Sequence, residues 1–325
     1  MRATPKVDLH LVGSAAPHTV ARLAANHPDA GVPSDLSALG EFYAFRDLPH
    51  FLEVYGAVSA LLRTPADVQA LVVALGGDLA GQGVAYAEVT VTSVTHLAAG
   101  IAADDLAQAL STGAAAVLAA TGVELAWVYD ISGADGPVGA RTTLDAALHH
   151  PPTGLVGFGL GGPETGVHRA DHRDVFAAAR AAGLHSVPHA GETVGPGEVW
   201  AAVTDLGAER VGHGIAARHD PALLDHLRHH EVTLEVCPSS NVATGAVRSL
   251  ADHPLPLLLD HGVDITLGSD DPPMFGTTLL EEYRRARDIL GLRRDQLLGL
   301  MAAGVRASFA SPATRARLLA ALPPT

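Results

Sequence analysis

Short runs of β-branched and other apolar residues recur along the chain, separated by longer stretches rich in alanine and leucine. Strands are predicted at 6–12, 84–91, 124–131, 154–160, 185–189, 210–213, 233–237 and 264–268. Between them, helices are predicted at 102–120, 174–182, 221–229 and 278–290, where apolar positions return at helical spacing. Alternation of strand and helix argues for parallel βαβ units. Eight such strands close most economically into a (β/α)8 TIM barrel, with an open doubly wound sheet as the alternative. No Pro/Ser-rich linker or charge run divides residues 1–325, so a single α/β domain is expected. In the long first β-to-α connection, Phe45, Leu48, Phe51, Leu52, Tyr55 and Val58 recur at roughly helical spacing. That stripe reads either as a helix burying one face or as an apolar cover over a pocket.

In such a barrel the C-terminal ends of the strands form the active site. Here those ends carry Asp8 and His10, then His189-Ala190-Gly191-Glu192, then Gly212-His213-Gly214, and last Ser269-Asp270-Asp271-Pro272. A single strand histidine is more often a hydrogen-bonded core residue, and a Ser-Asp-Asp-Pro run alone is more often a turn or helix cap. All of them together, each at a predicted strand end, fit a catalytic constellation better. A catalytic Zn²⁺ takes three protein ligands from His, Asp or Glu and leaves a position for water. It lowers the pKa of that water from 15.7 to about 7, which supplies hydroxide at neutral pH. The pairs His149-His150 and His229-His230 fall in helical or loop stretches and are read as surface residues.

Composition narrows the partners. Apolar residues make up 48% of the chain, too many for a disordered one. The formal charge of −14 repels phosphate backbones and anionic membrane surfaces, so nucleic acid and membrane are not expected partners. The most apolar long stretch, 114–128, is broken by Thr121, Gly122 and Glu124, short of the ~18 uninterrupted apolar residues of a membrane span. Asp8 and His10 spoil the N-terminus as a signal peptide. With one cysteine, Cys237, and no internal disulfide available, a cytoplasmic setting is expected. Oligomeric state has no signature in the sequence.

Other chemistries fit less well. There is no GxxxxGK[ST] phosphate loop and no GxSxG elbow. Gly157-Phe158-Gly159-Leu160-Gly161-Gly162 matches GxGxxG, but it lies mid-chain and Pro163 follows at once. Cys237-Pro238-Ser239-Ser240 does not supply the PCxxC of cytidine-deaminase zinc sites.

At these residues the chain resembles the adenosine deaminase family of the amidohydrolase superfamily. The resemblance runs almost end to end, through PKVDLH, FRDLPHFLEVY, YAEVTV, GFGLGGPE, HAGE, RVGHGI, LEVCPSSN, HPLPLLLDHGV, LGSDDP and TTLLEEY. It implies a (β/α)8 barrel holding one zinc ion and catalysing hydrolytic deamination of a 6-aminopurine, an adenosine- or adenine-like small molecule. By the same resemblance His10, His189 and Asp270 would be zinc ligands. Glu192 would protonate the purine N1, and His213 would orient and help deprotonate the attacking water. Asp271 would hold that water or the ring N7. Gly162 would offer its N–H to N3, and His10 would also face the substrate.

Four departures bear on these expectations. The family opens with His-x-His-Leu-Asp/Glu-Gly-Ser, where this chain reads Val7-Asp8-Leu9-His10-Leu11-Val12-Gly13-Ser14. Aligned on Leu-x-Gly-Ser, Asp8 replaces the first histidine and becomes a candidate ligand; aligned on PKVDLH, His10 is the first histidine and two residues are missing. Val12 stands where the family's ribose-contacting acid would be, so adenosine is expected to be a poorer substrate than an adenine compound modified at that end. Both aspartates of the family's Gly-x-Asp-Leu-Ala-Gly-Asp-Glu are absent from 157–164, and Thr90 replaces an arginine on the second strand. Two competing readings follow: a family member with a lost or weakened zinc site that uses Glu192 and His213 to catalyse a different reaction on a purine-like or related substrate, and a binding protein on the same scaffold.

Overall fold

The computed structural model describes residues 4–6 and 8–323. Eight parallel strands pair in chain order: β1 (Thr4–Lys6), β2 (Val84–Val91), β3 (Glu124–Ser132), β4 (Leu155–Gly161), β5 (His185–Ala190), β6 (Arg210–His213), β7 (Thr233–Val236) and β8 (Ile265–Leu267). Leu9 bridges Asp270 and His10 bridges Thr90, so the segment after β1 joins β8 to β2 and closes the barrel. The expected (β/α)8 fold is present, and the open-sheet alternative is not.

One expected strand is corrected. A strand over 6–12 was anticipated, but β1 ends at Lys6, and Val7 lies outside the described residues. Asp8 takes a left-handed backbone (φ 57°) that breaks the extended run. Pairing resumes only through the isolated bridges of Leu9 and His10.

Four helices fill the connection from β1 to β2: α1 (Pro17–Asn26), α2 (Leu36–Phe42), α3 (Leu48–Ser59) and α4 (Pro65–Gly81). Helix α3 starts where the Asp47 carboxylate accepts the His50 N–H, with Pro49 in the first turn, where its missing donor costs nothing. It buries Leu48, Phe51, Val54 and Val58. Leu48, Phe51, Leu52 and Tyr55 also wall the cavity at the C-terminal end of the barrel, so both readings of this stripe hold at once.

The opposite end of the barrel is plugged by charge. Arg210 is buried between Glu88, with which it makes a charged hydrogen bond, and Glu235, whose Oε1 lies 2.7 Å from its Nε. Its Nη1 donates to the Ala307 carbonyl at 2.7 Å, and its guanidinium sits 3.8 Å over the Phe309 ring. Glu88 is further held by the Tyr86 hydroxyl and the Phe309 N–H. Among the described residues no helix is long and apolar enough to cross a membrane.

Candidate active site and metal centre

The expected site residues converge. Asp8, His10, Glu192, His213, Asp270 and Asp271 are buried at the C-terminal end of the barrel, and His189 is nearly so. All but Asp8 line one cavity of about 210 Å³, together with Gly162. Asp8 sits beneath it, lining a small interior space shared with His189, Arg210 and Glu235.

Three site residues, Asp8, His213 and Asp270, have left-handed backbone (φ 57°, 60° and 57°); the only other described non-glycine residue with positive φ is Glu231. Such a conformation costs roughly 1–3 kcal/mol and persists where the surroundings over-determine it. Two glycines make the crowding possible. A Cβ on Gly212 would fall 2.2 Å from His189 Cδ2, and one on Gly268 would fall 2.6 Å from Cys237 Sγ and 3.0 Å from the Asp8 Cβ.

Asp8, His10 and His189 bring one ligand atom each within 4.8 Å of one another. His189 Nε2 is 3.6 Å from Asp8 Oδ1, and His10 Nε2 is 3.4 Å from Asp270 Oδ1. Two ligand atoms on a tetrahedral zinc with bonds of 2.0–2.1 Å lie about 3.3 Å apart, so these separations fit one small cation. The electrostatics fit as well. Burial, then the charges of His213 and His10, hold His189 well below its ordinary pKa and therefore neutral, as a ligand must be. Burial, then Asp270, raise Asp8, whose Oδ1 is buried without a hydrogen-bond partner while Oδ2 accepts from the Cys237 thiol at 3.0 Å. Burial opposes the Asp270 charge, but His10, His213 and His189 overcome it and bring its carboxyl down to about 2; the Ser240 hydroxyl donates to Oδ2 at 2.6 Å. Burial and Asp270 push Asp271 well up. Carboxylates crowded this closely in a buried space ask for a cation.

The candidate acid and its neighbours lie opposite. Burial raises the Glu192 carboxyl above its ordinary value. Its Oε1 is 2.7 Å from Thr244 Oγ1, and its Oε2 is 3.7 Å from His213 Nε2. Burial disfavours charge on His213, but the carboxylates of Glu192, Asp270 and Asp8 prevail and raise its pKa.

The structure adds residues not singled out in the sequence. Asp130, at the end of β3, lines the cavity with Oδ1 unpartnered, and burial raises its carboxyl. The signal was available, because it is an acid at a strand's C-terminal end like those chosen on the other strands. Asn241 and His253 lie in the LEVCPSSN and HPLPLLLDHGV motifs, but the role of each, and of Thr244, emerges only from tertiary contacts. The GxGxxG run forms β4 and the turn after it. A Cβ on Gly161 would come 2.9 Å from Asp130 Oδ2, while Gly162 holds φ +83° at the cavity wall. Val12 is a buried core residue and does not line the cavity, so the place of the family's acid is filled by packing. His149, His229 and His230 are exposed and His150 partly so, as expected. A second recess of about 550 Å³ shares Leu48, Leu52, Pro163 and Thr244 with the cavity and extends it past Pro49, Thr165 and Thr193.

The adenosine deaminase family model matches residues 5–323. An aminodeoxyfutalosine deaminase of Streptomyces avermitilis is 47% identical over 320 residues, which cover 97% of this chain and 89% of the relative. An adenine deaminase of Streptomyces coelicolor is 37% identical over 307 residues, 94% of this chain and 90% of the relative. The crystal structure of adenine deaminase from Arthrobacter aurescens superposes with a TM-score of 0.92 at 30% identity, covering 98% of each chain.

Proposed function

The chain belongs to the adenosine deaminase family and is a deaminase-type hydrolase acting on an adenine-like small molecule; from that premise we propose metal-dependent hydrolytic deamination of a 6-aminopurine, with aminodeoxyfutalosine as the first candidate substrate. The observation that carries the reading is the convergence on one cavity of a raised carboxyl (Glu192), a buried histidine (His213) and the Asp270, His10 and His189 ligand atoms, with Asp8 directly beneath. The substrate choice is supported by identity, 47% to the aminodeoxyfutalosine deaminase against 37% to the adenine deaminase. It is also supported by the adjoining recess, which offers room beyond the purine.

His10, His189, Asp270 and Asp8 would hold a zinc ion, which when bound supplies hydroxide at neutral pH and polarises the reacting centre. Glu192, whose carboxyl burial raises above its ordinary value, gives its proton to N1 of the ring, so that C6 becomes electrophilic. The water oxygen adds to C6, and His213 holds it on the reacting face. Asp271, at the cavity wall, holds the water or the ring N7, and the Gly162 N–H meets N3. Of the two protons the water gives up, one reaches the departing 6-amino group, which leaves as ammonia, and the other restores Glu192, while oxygen stays on C6 and the C6–N bond breaks. Glu192 and His189 come from the end of β5, His213 from β6, Asp8 and His10 from the segment after β1 and Asp270 from the segment after β8, and anchoring in one closed barrel keeps their spacing rigid.

The test is ammonia release and loss of the adenine absorbance with aminodeoxyfutalosine, adenine and adenosine. The expected order puts aminodeoxyfutalosine first, with kcat/KM at least ~10²-fold above adenosine, the scale of a missing hydrogen bond together with lost contacts in an adjoining subsite. Equal or faster turnover of adenosine would overturn the substrate assignment, and no turnover of any 6-aminopurine would overturn the reaction.

A further inference from the structure

Behind His213, away from the cavity, runs a buried chain of hydrogen bonds. His213 Nδ1 lies 3.0 Å from Asn241 Nδ2, and Asn241 Oδ1 lies 3.1 Å from His253 Nε2. The Leu255 backbone N–H donates to His253 Nδ1 at 3.1 Å. All three side chains are buried, Asn241 completely.

The last bond in this series sets the direction of the others. A backbone amide can only donate, so His253 Nδ1 must be an acceptor without a proton. A neutral imidazole carries one N–H, which is then on Nε2 and points at Asn241. Asn241 must therefore present its carbonyl oxygen to His253 and its NH₂ to His213. The NH₂ needs an acceptor, so His213 Nδ1 is bare and its N–H lies on Nε2, facing Glu192 and Asp270. Burial, then Arg218 and His213, hold the His253 pKa down to about 3, consistent with a neutral ring.

We infer that His253 is a positioning residue: through Asn241 it locks His213 in the Nε2–H tautomer, so that His213 serves the reaction as a hydrogen-bond donor to the attacking oxygen and not as the acceptor of the water's proton. The proton that the water loses then passes to a carboxylate at the cavity, and from there to the departing amine, which leaves as ammonia. The Glu192 and Asp270 carboxylates facing Nε2 favour a proton on that nitrogen, and the Asn241 NH₂, which can only donate, opposes one on Nδ1. The inference rests on the deaminase reading only for what the tautomer does, since the tautomer itself is read without substrate.

Ring-nitrogen NMR of ¹⁵N-histidine-labelled protein tests it, with His213 assigned by the loss of its signals in His213→Gln. Wild type should show a protonated Nε2 and a bare Nδ1 at His213. His253→Leu should mix the tautomers and lower kcat roughly tenfold, the scale of losing an outer partner of an active-site ligand, with KM within about twofold. His253→Gln, which keeps a donor toward Asn241, should retain the wild-type tautomer and most of kcat. A protonated Nδ1 in wild type overturns the inference. So does a His253→Leu protein whose tautomer is unchanged, whatever its kcat. Failure to deaminate any aminopurine with the expected tautomer present would refute the functional reading and leave the relay standing.

Discussion

Gly212 separates the backbone of β6 from the His189 imidazole, and replacing it by alanine should dismantle the metal centre from outside the ligand set. The new Cβ would stand 2.2 Å from His189 Cδ2 and 2.8 Å from both Cγ and Nε2, against an ordinary contact of 3.4–4 Å. Relief requires a shift of more than an ångström. The strand cannot yield easily, because His189 and Gly212 are register partners between β5 and β6, so the ring must move. Metal–ligand distances tolerate only about ±0.2 Å, so Nε2 would leave its place opposite Asp8. Gly212→Ala should therefore weaken metal binding by at least ~10²-fold and kcat/KM with it, while overpacking costs stability only about 1–3 kcal/mol. Metal per chain after equilibration with a zinc buffer, activity, and urea unfolding measure the three effects on one preparation. Gly197→Ala is the control, since its Cβ would meet nothing within 4 Å. A folded Gly212→Ala protein with wild-type metal content and activity would refute the placement of His189.

Three further outcomes follow from the geometry. Glu192→Gln should keep substrate binding and lower kcat by at least ~10²-fold, because the proton for N1 is gone; a kcat unchanged within error contradicts that role. Arg210→Met leaves Glu88 and Glu235 buried without their cation and should destabilise the barrel by about 3–5 kcal/mol in urea unfolding; burial already pushes Glu235 up to about 8, so the lower end is expected near neutral pH. His96 and His253 are held neutral in the fold, chiefly by burial, at about 4 and 3, below their unfolded value of 6.5. Their contribution is whole above pH 6.5 and declines as pH falls, because only the unfolded chain takes up the protons. Between pH 7.5 and 5 each should cost about 2 kcal/mol of stability, and His96→Leu should flatten the acid side of a urea-midpoint profile; an unaltered slope would show that His96 does not titrate on unfolding.

Much of this architecture was legible because barrel strands are short apolar runs closed off by glycine, proline and polar residues. Strands β2 and β6 begin and end at the residues the pattern marked, and the helix Pro221–His229 does likewise. The break at Asp8 was not legible. Aspartate is among the few residues that tolerate left-handed backbone, but nothing in Val7-Asp8-Leu9 signals that it adopts it. The strand-end acids and histidines that face the cavity are recognisable by position alone, and Asp130 satisfies the same criterion. Asn241 and His253 sit in family motifs, yet neither their roles nor that of Thr244 could be read from position. They act through partners 12 to 52 residues distant, and only the packed barrel brings them there. Val12 shows the opposite case: the motif marked a lost sugar contact, and the structure shows a core side chain in its place.

The central claim is that Asp8, His10, His189 and Asp270 form a catalytic metal centre in which an aspartate stands among the histidines. Metal analysis of the purified protein, before and after chelator treatment and zinc restoration, with deaminase activity followed on the same samples, tests it most directly. The prediction is one metal per chain, activity that disappears on stripping and returns with zinc, and an Asp8→Ala protein that folds but binds zinc at least ~10-fold more weakly. Full deaminase activity in protein shown to be metal-free, or an Asp8→Ala protein with wild-type zinc affinity, would contradict it.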